Sequence, residues 1–143
     1  MKKAFFTILI IIVVINPFSV VNCLSQNMID KTKAEQVLDD YFIYLKTGDT
    51  DGILNLLTGP FLKKRERLLR YNPTYGTFLK EKYEYAQFSI IGQRFIDNSK
   101  MTFDVQIVLS GQDILKRKFV IVEDVGILKI YSEEEMPATN ADN

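Results

Sequence analysis

Residues 101–109, Met-Thr-Phe-Asp-Val-Gln-Ile-Val-Leu, constrain this chain most. Met101, Phe103, Val105, Ile107 and Leu109 alternate with Thr102, Asp104, Gln106 and Val108. Period two over that length puts the first set on one face of a strand. One apolar face cannot be buried by the strand alone, so other elements must cover it.

Helical patterns upstream supply the cover. Thr32-Lys33-Ala34-Glu35 has the Thr-x-x-Glu spacing of a capping box. Ala34, Val37, Leu38, Tyr41, Phe42 and Leu45 then recur at one-turn spacing, which predicts an amphipathic helix over 33–47 ended by Gly48. Ile53, Leu54, Leu56 and Leu57 mark a second helix. Pro60 suits the first turn of a third, over 60–71, with Phe61, Leu62, Leu68 and Leu69 on one side. Its opposite side reads Lys63, Lys64, Arg65, Arg67 and Arg70. That pattern reads first as an ordinary solvated face, and otherwise as a match for anionic headgroups or an acidic partner. Asn72-Pro73-Thr74 is a turn, and residues 75–82 add a short helical turn.

A strand is expected from Tyr83 to Ile96, with a bulge at Gly92 where its alternation slips. Asp97-Asn98-Ser99 turns into the central strand, and 110–113 turn out of it. A third strand, 114–123, sets Phe119 and Ile121 against Val120 and Val122. A fourth covers 127–132, and residues 133–143 read as an acidic, polar, disordered tail. Helices followed by a meander predict an α+β domain over 31–132: N-terminal helices packed on a curved antiparallel sheet of about four strands.

The N-terminus reads as an export signal over residues 1–23. Lys2 and Lys3 precede an apolar run, Ala4 to Ile15, which Asn16-Pro17 ends too early for a comfortable membrane span. Residues 24–30 read as a linker. Two processing sites compete. Val20-Val21-Asn22-Cys23 resembles a bacterial lipobox, with Cys23 as lipid attachment site. Cleavage after Ser25 would instead discard Cys23 with the signal. The first predicts a membrane-anchored lipoprotein of the cell envelope, the second a secreted or periplasmic protein.

Inventory excludes several chemistries. The chain has no histidine and one cysteine. Histidine-ligated metal, Ser-His-Asp and Cys-His catalysis and an intrachain disulfide are therefore outside its reach. Without residues 1–22 it carries 16 basic and 18 acidic side chains, a formal charge of −2. A nucleic-acid partner is not expected from that balance. No metal or cofactor set is expected, and no catalytic set emerges from residue spacing.

Ala34–Leu45, then Lys46-Thr47-Gly48-Asp49 leading into Ile53-Leu54-Asn55-Leu56-Leu57, together with Phe119 through Ile130, resemble the nuclear transport factor 2-like, or cystatin-like cone, superfamily. More narrowly, the chain resembles small exported bacterial lipoproteins of that superfamily whose domain has no assigned function. The family's closing hairpin ends Gly-x-Trp-Lys-Ile; here Leu128 takes the tryptophan's place. The resemblance implies a sheet wrapped around the first helix, leaving a cavity lined in the enzymes by Asp, His or Tyr.

Within that frame Tyr41, Phe88 and Phe103 are candidate pocket lining. Val108, Val120 and Val122 are candidate interface residues on the outer sheet face, for a homodimer or a protein partner. An isomerase-like enzyme needs an aspartate base facing the pocket. The alternation instead sets Asp104 with Thr102 and Gln106, on the other side. The expectation is a non-catalytic exported binding or interaction domain, attached to the membrane by lipid on Cys23. The alternative is a carrier or cone-pocket enzyme, isomerase- or dehydratase-like, acting on an apolar small molecule.

Overall fold

A computed structural model of the protein describes residues 28–137. The export segment, Cys23 and both processing sites lie outside the described residues, as does the end of the chain from 138. Four helices come first: α1 (Lys31–Thr47), α2 (Thr50–Leu56), α3 (Gly59–Tyr71) and α4 (Tyr75–Tyr83). Four strands follow: β1 (Gln87–Asp97), β2 (Lys100–Val108), β3 (Ile114–Asp124) and β4 (Ile127–Glu135). They form one antiparallel sheet in chain order. This is the expected α+β layout, with the helices over one face of the sheet.

β2 sits inside the sheet and its alternation is realised. Met101, Phe103, Val105 and Ile107 are buried, while Asp104, Gln106 and Val108 are half-buried on the outer face. The helical cover is α1, whose Ala34, Leu38, Tyr41, Phe42 and Leu45 are buried. Aromatic rings join the layers: Phe42 stacks on Phe88 at 4.1 Å, and Tyr41 and Phe42 meet Phe119 edge-on at 5.8 and 5.7 Å. Such offset and edge contacts add to the burial of the rings themselves.

The start of α1 differs from the capping-box reading. Asp30, not Thr32, is the cap: its carboxylate accepts from the Thr32 and Lys33 amides at 3.0 and 3.3 Å. Glu35 pairs with Lys31 instead of reaching back. The chain is already fixed before the cap, because Ile29 is buried and its N–H donates to the Asn98 carbonyl at 2.7 Å. The expected linker over 24–30 thus ends in packed residues. Gly48 does end α1, at φ 71°, and a Cβ there would lie 2.4 Å from the Gly76 carbonyl oxygen.

β1 begins later than expected. Tyr83 is the last residue of α4 and is buried, so the strand starts at Gln87. Gly92 marks a register shift against β2, as its position predicts. β4 ends later than expected. It reaches Glu135, and Glu133–Glu135, read as the start of a tail, are strand. A second register shift explains the consequence. Ile130 pairs with Ile121 but Ser132 pairs with Val120, which makes Tyr131 an extra residue. Strict alternation from Ile130 would send Ser132 and Glu134 inward. The bulge sends Glu133 inward instead, opposite Phe119.

The β3–β4 hairpin turns on Val125 and Gly126, with φ of 50° and 76°. Two consecutive positive φ angles define the turn favoured between twisted strands, where Asn-Gly is the preferred pair. Val125 is β-branched, 96% exposed and packs against nothing that would repay that backbone. Val125→Asn is expected to stabilise the fold by about 1 kcal/mol and raise the melting temperature by about 4 °C, measured by thermal unfolding.

Candidate functional site

The inner face of α3 is set by Phe61, Arg65 and Leu69, one turn apart. Phe61 is buried, and Arg65 follows it inward with its side chain only 13% exposed. There it meets groups from three other elements. Tyr41 comes from α1, Tyr75 from the first residue of α4 and Glu133 from the bulged end of β4.

Arg65 Nη2 donates to Glu133 Oε2 and to the Tyr41 hydroxyl, both at 2.9 Å. Its Nη1 donates to the Tyr75 hydroxyl. The Tyr41 hydroxyl donates to Glu133 Oε2 at 3.3 Å. The guanidinium also lies over the rings of Phe61 and Tyr75, at 5.1 and 5.7 Å. Arg117 on β3 extends the cluster: its Nε is 3.8 Å from Glu133 Oε1 and its Nη1 is 2.8 Å from Glu135 Oε2. Arg65 Nε is buried without a hydrogen-bond partner.

Electrostatics follow from this closure. Burial and the nearby Glu133 carboxylate push the Tyr41 hydroxyl well above its ordinary pKa of 10.0, against the opposing pull of Arg65. Burial and Glu133 also raise Tyr83. For Arg65, burial works against the charged form, but Tyr41 and Glu133 outweigh it and hold the guanidinium above its ordinary value. General acid–base chemistry wants groups poised near the working pH. Here Tyr41 and Arg65 are moved away from it, and both Glu133 oxygens face cationic groups. The arrangement holds α1, α3, α4 and β4 together.

A pH dependence follows. Tyr41 and Tyr83 resist ionisation in the folded chain, whereas in the unfolded chain tyrosine loses its proton near pH 10. The unfolded state therefore binds fewer protons above that pH, and stability falls as pH rises. The contribution is fully present below pH 10 and is lost from there upward toward the raised folded-state values. Denaturant midpoints taken from neutral to alkaline pH, with the decline reduced in Tyr41→Phe, check this.

Of the residues expected to line a pocket, two lie deep in the domain and one nearer its surface. Tyr41 and Phe103 are each 0% exposed, inside the packed core. Phe88 is half-buried against Phe42. A surface groove at the α1–α4 crossing, lined by Thr47, Gly48, Thr50, Thr77 and Lys80, touches none of the three. Val108, Val120 and Val122 are half-buried on the outer sheet face, with Val120 opposite Thr102 and Val122 opposite Lys100. Asp104 lies on that same outer side, opposite Lys118, and its Oδ1 has no partner. Among the described residues no cluster of His, Cys, Asp or Glu is arranged to hold a metal ion, and no helix is long and apolar enough to cross a membrane.

Sequence reasoning missed Arg65 and Glu133. Arg65 was grouped with the bases of the solvated side, although its i+4 spacing from Phe61 and i−4 spacing from Leu69 place it on the apolar stripe. Leu68, expected inward, is 37% exposed. Glu133 carries no such signal, because the Tyr131 bulge alone turns it inward.

Compared with known protein families and with curated proteins, the chain finds no match in either. Among solved structures it is similar to a protein of Xanthomonas campestris described as a calcium/calmodulin dependent protein kinase II association domain. Their identity is 17%, over 73% of this chain and 86% of that one, with a TM-score of 0.48.

Proposed function

We propose that the chain is a non-catalytic, exported binding or interaction domain, tethered at the cell envelope by lipid on Cys23. The observation that carries the non-catalytic part is the closed Arg65–Glu133 cluster. The charged groups turned inward neutralise one another inside an interior filled by Tyr41, Phe103 and Phe119. Binding then falls to the outside of the domain. The outer sheet face offers half-buried Val108, Val120 and Val122 among Arg94, Lys100, Lys116, Lys118 and Lys129, with Asp97, Asp104, Asp124 and Glu134 as its acids. Mixed charges around an apolar strip suit either a protein partner or a second copy docking on this face.

The alternative, a carrier or cone-pocket enzyme for an apolar molecule, draws on one contact: a carboxylate, Glu133, within 3.3 Å of the Tyr41 hydroxyl. The Tyr41 side of that pair is fully buried, and its carboxylate is already engaged by two arginines.

The tether is tested by intact mass and membrane fractionation of the chain expressed in a bacterial host. The expected result is a mature chain beginning at lipid-modified Cys23, recovered with membranes and released by Cys23→Ser. An unmodified chain beginning near Gln26 and free in solution would overturn the lipid assignment.

A further inference from the structure

With Arg65 turned inward, the four remaining bases of α3 form a surface of their own. Lys63, Arg67 and Arg70 recur at i, i+4 and i+7, and Lys64 flanks them; all four are exposed. Pro60, Lys63, Lys64 and Arg67 line one shallow groove. None of the four bases makes a salt bridge among the described residues, and Glu66 is the one acid of the helix. Apolar groups share this face. Tyr71 is 78% exposed at the last helical position and Leu68 is 37% exposed one turn after Lys64.

We propose that this outer face of α3 is a second membrane contact, which lays the domain on a bilayer surface rich in anionic headgroups. Lysine and arginine near an anionic surface each contribute about 1 kcal/mol of attraction. An exposed tyrosine and leucine beside them can enter the headgroup boundary, the layout of helices that lie in the interface plane. A soluble acidic protein would match the same charges, and the test below separates the two occupants. The contact does not depend on Cys23 being lipidated.

The test uses the full chain carrying Cys23→Ser, so that no acyl chain contributes. Flotation compares vesicles of phosphatidylcholine alone with vesicles also containing phosphatidylglycerol. The chain also carries Lys2→Gln and Lys3→Gln, because both bases would favour the anionic vesicles whatever α3 does; the apolar N-terminal run then acts alike on both, and the readout is their ratio. Stronger partitioning onto the anionic vesicles, by at least about tenfold, is expected at low salt, shrinking as salt is raised. Reversing the face, with Lys63→Glu, Lys64→Glu, Arg67→Glu and Arg70→Glu together, should abolish the preference with an unchanged melting profile. Equal partitioning on both vesicles, or a preference surviving the reversal, would overturn the proposal. Binding to soluble polyglutamate without a preference for anionic vesicles would also overturn it, and would assign the face to an acidic protein.

Discussion

Arg65→Ala is expected to cost about 3–5 kcal/mol of folding stability, because it strips one partner from a buried ion pair. Glu133 would be left with Arg117 at 3.8 Å as its nearest cation, and the Tyr41 and Tyr75 hydroxyls would lose the guanidinium that they share. Four elements meet at this residue, so cooperative unfolding should report the whole loss. For a domain of this size it corresponds to a fall of about 12 °C or more in melting temperature. The double variant Arg65→Met with Glu133→Leu is expected to recover most of that loss, since an apolar pair of similar volume leaves no buried charge unpaired. A cost below about 1 kcal/mol for Arg65→Ala would show the pair behaving as a surface salt bridge, and the closed-cluster account would fail.

Phe103→Ala is the second large effect. The ring is fully buried at the middle of β2, opposite Gln93 on β1 and Phe119 on β3. Truncation removes its transfer free energy and leaves a cavity beneath α1, at a cost of about 3–5 kcal/mol. The size of the effect separates two views of the interior. A residue lining an open pocket already lacks packing on one side and loses less when shortened. Denaturant midpoints at constant slope give the value directly. A loss near 1 kcal/mol would indicate that Phe103 borders open space, and would revive the reading of Tyr41, Phe88 and Phe103 as pocket lining.

The architecture was legible because two periodicities run long and clean. The alternation of Met101 through Ile107 and the helical stripe from Ala34 to Leu45 each identify a face, and the two faces are buried against each other. Turns were legible for a local reason: Gly48, Gly92 and Gly126 sit where the chain bends, bulges or adopts positive φ. Boundaries were less so. Asp30 outcompetes Thr32 as a cap because its carboxylate reaches two amides, and Ile29 is pinned before it by a contact almost 70 residues away in the chain.

The polar cluster was mostly hidden. Arg65 stood among Lys63, Lys64, Arg67 and Arg70, and a run of bases obscures the one at core spacing. Glu133 depended on an unsignalled extra residue, Tyr131, that reverses which side chains of β4 face inward. A bulge created by pairing with another strand leaves no local mark when its residue is not glycine. Residue spacing thus located the elements that carry the site, and tertiary pairing selected the side chains within it.

Native mass measurement of the freshly purified full chain, under conditions that keep non-covalent ligands bound, tests the central claim most directly. A closed, self-neutralised interior predicts the mass of the polypeptide with its covalent modifications and nothing more. It also predicts the same bare mass after incubation with apolar and carboxylate-bearing small molecules. A stoichiometric adduct that disappears in Phe103→Leu or Arg65→Lys would contradict the account, and would make the interior a ligand site.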